Sequence, residues 1–119
     1  MERRYRLQGK SRFLAIREHG RRWVHALLIL GAVPNHLDST RCGFVVSGKL
    51  GTAVTRNRIR RRLRAAVHQS YRHIAPGWDL VWIARPPIRQ ADFGQITAAV
   101  EGLLRQASLW QAPQESGHA

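Results

Sequence analysis

The chain has 119 residues, 44% of them hydrophobic, with 20 Lys plus Arg against 7 Asp plus Glu, a formal net charge of +13. That is the size of one small domain with enough apolar residues to exclude global disorder. The acids Glu2, Glu18, Asp38, Asp79, Asp92, Glu101 and Glu115 stand apart from one another, which argues against a self-contained two-metal nuclease built on gathered carboxylates. The cationic excess, almost all of it arginine, points to a polyanionic partner, nucleic acid first, rather than to a merely soluble basic domain that bears its self-repulsion without use.

Residues 1–10 read as a basic arm with Tyr5 and Leu7 embedded. Ser11 as N-cap and Gly20 as stop delimit a short helix carrying Phe13, Leu14 and Ile16. Residues 22–33 predict one strand, buried on both faces in its second half and ended by Pro34-Asn35. Its apolar run Ala26 to Val33 is far shorter than the roughly 18 residues that span a bilayer. No small-residue cleavage site follows it before Pro34, so a strand of a cytoplasmic protein is expected, not a signal peptide.

After a loop over 34–39, Arg41 to Ser47 alternates. Cys42, Phe44 and Val46 share a core face, and Arg41, Gly43, Val45 and Ser47 share a face suited to being partly open. Cys42 is the single cysteine, with no disulfide or zinc partner in the sequence, and reads as a small core residue of a protein in a reducing compartment. Gly48 and Gly51 bracket a loop. Thr52 to about Ile74 predicts a long helix with Ile59, Leu63, Ala66, Val67 and Ile74 within about 100° of one another. Pro76-Gly77 stops it. Trp78 to Ala84 is a third strand, apolar apart from Asp79 and ended by Pro86-Pro87. Asp92 caps a last helix whose stripe is Phe93, Ile96, Val100, Leu103 and Leu104. The order is α-β-β-α-β-α: a two-layer α/β sandwich forming one domain over residues 1–110, with a disordered tail over 111–119.

The long helix carries the strongest signal. Thr55 to Arg64 holds six arginines in ten residues, and no acid lies between Asp38 and Asp79. A solvated helix face normally mixes in acids one turn away to offset repulsion, whereas guanidinium offers paired donors that fit phosphate oxygens. Arginine near a helix start adds to the positive end of the dipole, so phosphates are expected near Arg56 and Arg58 as well as along the exposed arc. A second site is suggested by Phe13, with Tyr5 and Trp23, because single strands are held by base stacking plus cations; Phe13 as a core residue is the competing reading. The histidines His19, His25, His36, His68, His73 and His118 form no converging pair, so surface or structural roles are expected in place of acid–base cleavage of RNA.

The string from Gly51 to Arg64, GTAVTRNRIRRRLR, resembles the arginine-rich motif of the bacterial ribonuclease P protein component. Arg6-Leu7, Phe13, His19-Gly20, Phe44 to Ser47 before Lys49 and Gly51, and Ile83-Ala84-Arg85 fit the same pattern, which spans about residues 5–110. The resemblance implies a left-handed β-α-β crossover through the motif helix, against the usual right-handed rule. It also implies a non-catalytic protein subunit of an endoribonuclease, one per catalytic RNA. That RNA, with Mg2+, removes the 5′ leader of precursor tRNA. By match, Arg56, Asn57, Arg58, Arg60, Arg61 and Arg64 are expected to face the catalytic RNA, and Phe13, Arg17 and Arg6 the single-stranded leader. The sequence departs from the pattern at Arg17, Gly31 and Val45, where a second aromatic, a strand aromatic and a polar residue often stand. Arg17 then supplies charge or guanidinium stacking in the cleft. Two other functions compete: a ribosomal or DNA-binding protein using the same basic helix, and an intrinsic protein nuclease.

Overall fold

The structure, a computed structural model, describes residues 5–7 and 9–113. Helix α1 (Lys10–His19) leads into strands β1 (Arg21–Val24), β2 (Leu28–Pro34) and β3 (Arg41–Val45). Helix α2 (Ala53–Ser70), strand β4 (Trp78–Ala84) and helix α3 (Phe93–Gln106) follow, with 3-10 turns at Gly48–Leu50, Tyr71–His73 and Pro86–Gln90. The sheet order is β1-β2-β4-β3, antiparallel except that β3 and β4 run parallel, so α2 is the crossover between adjacent parallel strands. No helix among the described residues is long and apolar enough to cross a membrane.

The expected single strand over 22–33 is instead a hairpin, so the order is α-β-β-β-α-β-α and the sheet has four strands. The chain reverses at His25 to Leu27 without Gly, Pro or Asn. The His25 ring does the work of a turn residue: its Nδ1 accepts the Leu27 N–H at 3.0 Å, while the His25 N–H donates to the Leu28 carbonyl at 2.8 Å. Ser11 is not the cap of α1. The helix starts two residues earlier, behind Gly9 at φ 90°, with no side-chain cap. The later helices follow the sequence closely. Thr52 caps α2 by accepting the Thr55 N–H at 3.2 Å, and Asp92 and Gln95 close a reciprocal capping box on α3.

Each face of the sheet has its own cover. Leu28, Leu30, Ala32, Cys42, Leu80, Trp82 and Ala84 point to the main core, where Ile59, Leu63, Ala66 and Val67 of α2 and Ile96, Val100, Leu103 and Leu104 of α3 bury against them. The alternate positions Val33, Val45, Val81 and Ile83 face a smaller cluster with Leu7, Phe13 and Ile16. Phe93 departs from the expected stripe: at the first position of α3 it overhangs the core and stays 40% exposed.

Three contacts seat α1 on the second face. Two are close approaches at glycines: a Cβ on Gly31 of β2 would stand 3.0 Å from Ile16 Cγ2, and one on Gly43 of β3 only 2.5 Å from Phe13 Cζ. The third is polar. Asp79, on the same face of β4 as Val81 and Ile83, is fully buried. Its Oδ2 accepts from Arg12 Nε at 2.9 Å and Nη2 at 2.6 Å, both from α1. Arg41 of β3, its register partner, donates Nε to Oδ1 at 2.8 Å and Nη2 to Oδ2 at 2.7 Å, and Asn35 Nδ2 donates to Oδ1 at 3.0 Å. The arm joins the same edge: the Leu7 N–H donates to the Cys42 carbonyl at 2.8 Å, and Arg6 bridges to Cys42 in parallel fashion. At the other end, Gln111, expected in the tail, donates its N–H to the His73 carbonyl at 2.7 Å, and the Trp110 ring stacks on His73 at 4.2 Å. Residues 114–119, most of the expected tail, lie outside the described residues.

Burial alone would push the Asp79 carboxyl up, but hydrogen bonds from Arg41, Asn35 and Arg12 outweigh it and hold the group below the usual aspartate range. Its contribution to stability is therefore complete above about pH 4 and is lost as pH falls through the lower folded-state value. Asp79→Asn removes the negative charge and one of the two acceptor oxygens between two guanidinium groups, and it should lower the thermal midpoint at pH 7 by on the order of 10 °C. The gap between parent and variant should close on acidification below about pH 4; a gap that persists unchanged there would contradict the carboxylate's role.

Candidate nucleic-acid interface

Helix α2 is amphipathic in an unusual sense: apolar on the core side and cationic elsewhere. Arginine side chains tolerate the helix well, and the buried stripe of Ile59, Leu63, Ala66 and Val67 anchors it against the sheet and α3. None of Arg56, Arg58, Arg60, Arg61, Arg62 and Arg64 has a carboxylate partner among the described residues, where the arginine–acid pairs are Arg12 and Arg41 with Asp79, and Arg105 with Glu101.

The motif does not present a single surface. Asn57, Arg60, Arg61 and Arg64 line a shallow open hollow of about 540 Å³, with Asn57 Oδ1 accepting from Arg60 Nη1 at 3.0 Å. Arg64 closes its inner edge, half-buried with its guanidinium carbon 5.8 Å from the Phe44 ring centre. Burial, then the charges of Arg6 and Arg60, lower the Arg64 pKa. The Nε atoms of Arg56 and Arg64 are buried and have no hydrogen-bond partner. Arg58, assigned to the same group by the sequence, lies on the other flank of α2, where it and Arg62 line a different hollow with Arg89. At 100° per residue, Arg58 and Arg62 fall on an arc well removed from Arg56, Arg60 and Arg64.

A cleft of about 350 Å³ opens where α1 crosses the sheet. Ile29, Gly31, Val45, Val81 and Ile83 form its floor, and Phe13, Leu14, Ile16 and Arg17 come from α1, with Arg22 at the rim. Phe13 and Arg17 thus meet in one cleft, and the departures from the family pattern at Gly31 and Val45 lie on its floor. Arg6 does not line this cleft. It sits at the β3 edge, where its charge acts on Arg64, and so groups with the motif face. A mostly apolar floor with an aromatic and two cations at its edge suits an unpaired base with its phosphates turned outward.

Cys42, His25 and His73 have structural surroundings, and His19, His36 and His68 are exposed. Cys42 is buried, and burial pushes its thiol up to about 12. His25 holds the hairpin turn. His73 Nδ1 contacts the Gln111 carbonyl at 3.0 Å under Trp110. His118 lies outside the described residues. No three His, Cys, Asp or Glu side chains gather in a metal-binding group among the described residues.

The sequence profile of the family Ribonuclease P matches residues 1–108. The ribonuclease P protein component of Roseiflexus castenholzii is 47% identical over 112 residues, covering 93% of this chain and 92% of that protein. The corresponding protein of Herpetosiphon aurantiacus is 45% identical over 122 aligned positions, covering 99% of each. Among solved structures, the RNase P protein of Staphylococcus aureus superimposes with a TM-score of 0.82 at 30% identity, over 90% of this chain and 98% of that one. In sequence across nearly its whole length, and in the arrangement of its sheet and helices, the chain belongs to the ribonuclease P protein family.

Proposed function

We propose that the chain binds the catalytic RNA of ribonuclease P through α2 and the single-stranded 5′ leader of precursor tRNA in the cleft between α1 and the sheet. As a ribonuclease P protein it is a subunit acting in tRNA processing. In this reading it promotes endonucleolytic removal of the leader, in the cytoplasm and as one protein per RNA, while the RNA subunit holds Mg2+ and performs the cleavage. The protein's part in this reading is to bind and orient. The observation that carries the proposal is the run of motif arginines without carboxylate partners among the described residues, together with an apolar cleft on the opposite face of the sheet edged by Phe13 and Arg17.

The physical division follows from the two chemistries. Arg60, Arg61 and Arg64 around an open hollow offer forked donors to the phosphates of a structured RNA. Half-buried Arg64, its positive form disfavoured by burial and by Arg6 and Arg60, gains most from an adjacent anion. The cleft instead offers an apolar face for bases, which duplex RNA does not present because its bases are stacked inward.

Reconstitution tests the proposal: the catalytic RNA with and without this protein, at low Mg2+, on precursor tRNA with and without a leader. Faster cleavage with the protein, greatest on leader-bearing substrate, is expected. Cleavage by the protein freed of RNA would make it a nuclease in its own right, and a protein without effect on the RNA would contradict the proposal.

Two further outcomes are expected. Engagement of about five phosphates gives a slope of log K against log salt of about −3.5 to −4.5, and a slope near zero would remove the phosphate argument. Phe13→Ala should weaken holoenzyme binding of leader-bearing precursor about tenfold while leaving leaderless tRNA bound as before. An equal loss on both substrates would mean that Phe13 serves the fold and not the leader.

A further inference from the structure

The hollow on the other flank of α2 is left unexplained by either surface above. It measures about 380 Å³ and is lined by Arg58 and Arg62 of α2, by Arg89 and Gln90 of the 3-10 turn after β4, and by Phe93 at the start of α3. A cavity of that size suits one small ligand group, such as a nucleotide. Three arginines from two separate segments converge on it, and none is paired with a carboxylate among the described residues. Asp92 is the acid in the lining, and it is engaged elsewhere: its Oδ1 accepts the Gln95 N–H at 2.7 Å, and its own N–H donates to Gln95 Oε1 at 2.9 Å. Phe93 is 40% exposed at the first turn of a helix that otherwise buries its large apolar residues. A large aromatic left open among unpaired cations is the combination that holds an unstacked base and its flanking phosphates.

We propose that this hollow is a second RNA-binding surface, taking an unpaired nucleotide of the catalytic RNA with its base on Phe93 and its phosphates on Arg58, Arg62 and Arg89. The inference rests on the reading that the catalytic RNA is the partner of α2. It extends that partner around the helix, so that the RNA straddles α2 and reaches the turn after β4. The nucleotide is unpaired because a base within a helical stack has no free face for the ring. Arg89 and Phe93 lie outside the arginine motif, so their effects separate this surface from the motif face.

The test is binding of the full-length protein to the ribonuclease P RNA, without substrate, across a salt series. Arg89→Ala should weaken binding several-fold and make the salt slope shallower by about 1. Phe93→Ala should weaken it about tenfold with the slope unchanged, and Phe93→Tyr, which keeps the ring, should bind like the parent. Arg60→Ala, on the motif face, serves as the reference. Parent-like binding by Arg89→Ala and Phe93→Ala beside a weakened Arg60→Ala overturns the second surface and leaves the motif face intact. Parent-like binding by all three, Arg60→Ala included, overturns the α2 reading itself. A Phe93→Ala loss that Phe93→Tyr does not recover, or that accompanies a lowered thermal midpoint, assigns Phe93 to the fold and overturns the stacking. Since Arg89 and Phe93 are exposed, Arg89→Ala keeps the test open even if Phe93→Ala folds poorly.

Discussion

A single buried carboxylate sets how α1 lies on the sheet, and with it the shape of the cleft beneath that helix. Asp79 gathers Arg12 from α1 and Arg41 from β3 through four N–H···O contacts of 2.6–2.9 Å, with Asn35 adding a fifth. Burying a carboxylate costs several kcal/mol unless its lone pairs are filled by charged donors, and here they are filled from both sides. The result ties α1 to the start of β4, an inner strand of the sheet. Ile16 over Gly31 and Phe13 over Gly43 then fix how closely α1 lies on the sheet. The cleft is the gap this arrangement leaves: pinned where Arg12 meets Asp79 and open where Leu14 and Arg17 face the floor.

The same network bears on the charge excess. Of the acids among the described residues, Asp79 pairs internally with two arginines and offsets the charge of one, Asp92 caps α3, and Glu101 pairs with Arg105 one turn away. None of these is paired with an α2 arginine, although Asp92 lines the hollow that Arg58 and Arg62 share. The repulsion among the α2 arginines remains as an unbalanced term in the free protein, felt most at half-buried Arg64. A polyanion relieves that repulsion on binding, which makes the electrostatic part of association favourable and strongly salt-dependent.

Much of this was legible in the sequence, and the parts that were not have physical reasons. Strand β4 matches its expected limits at Trp78 and Ala84, and the Asp92 cap and the buried stripe of α2 follow from local pattern. The hairpin was hidden because a histidine ring holds the turn where glycine or asparagine is the usual signal, although a twelve-residue strand was already twice the common length. Phe93 fits the helical period, but periodicity does not tell where a stripe runs past the end of its core. The partners of Asp79 lie 38, 44 and 67 residues away, a pairing that local patterns do not carry. The split of the arginine motif was present in its spacing: Arg58 and Arg62 are one turn apart on one arc, while Arg56, Arg60 and Arg64 share another. Phe13 and Arg17, one turn apart on α1, do meet in the cleft, whereas Arg6 is drawn to the motif edge by its bridge to β3.

The division of labour between two surfaces of one small domain is tested most directly by site-directed crosslinking. Cys42, the one native thiol, is buried with its pKa pushed up to about 12, so a thiol-reactive photocrosslinker reports only on an introduced cysteine. Arg17→Cys and Arg61→Cys put the probe in the cleft and on the motif face. With the assembled holoenzyme and leader-bearing precursor tRNA, the division predicts that the probe at position 17 reacts with the leader and the probe at position 61 with the catalytic RNA. Reaction of both probes with the same RNA, or with each other's expected target, would contradict it.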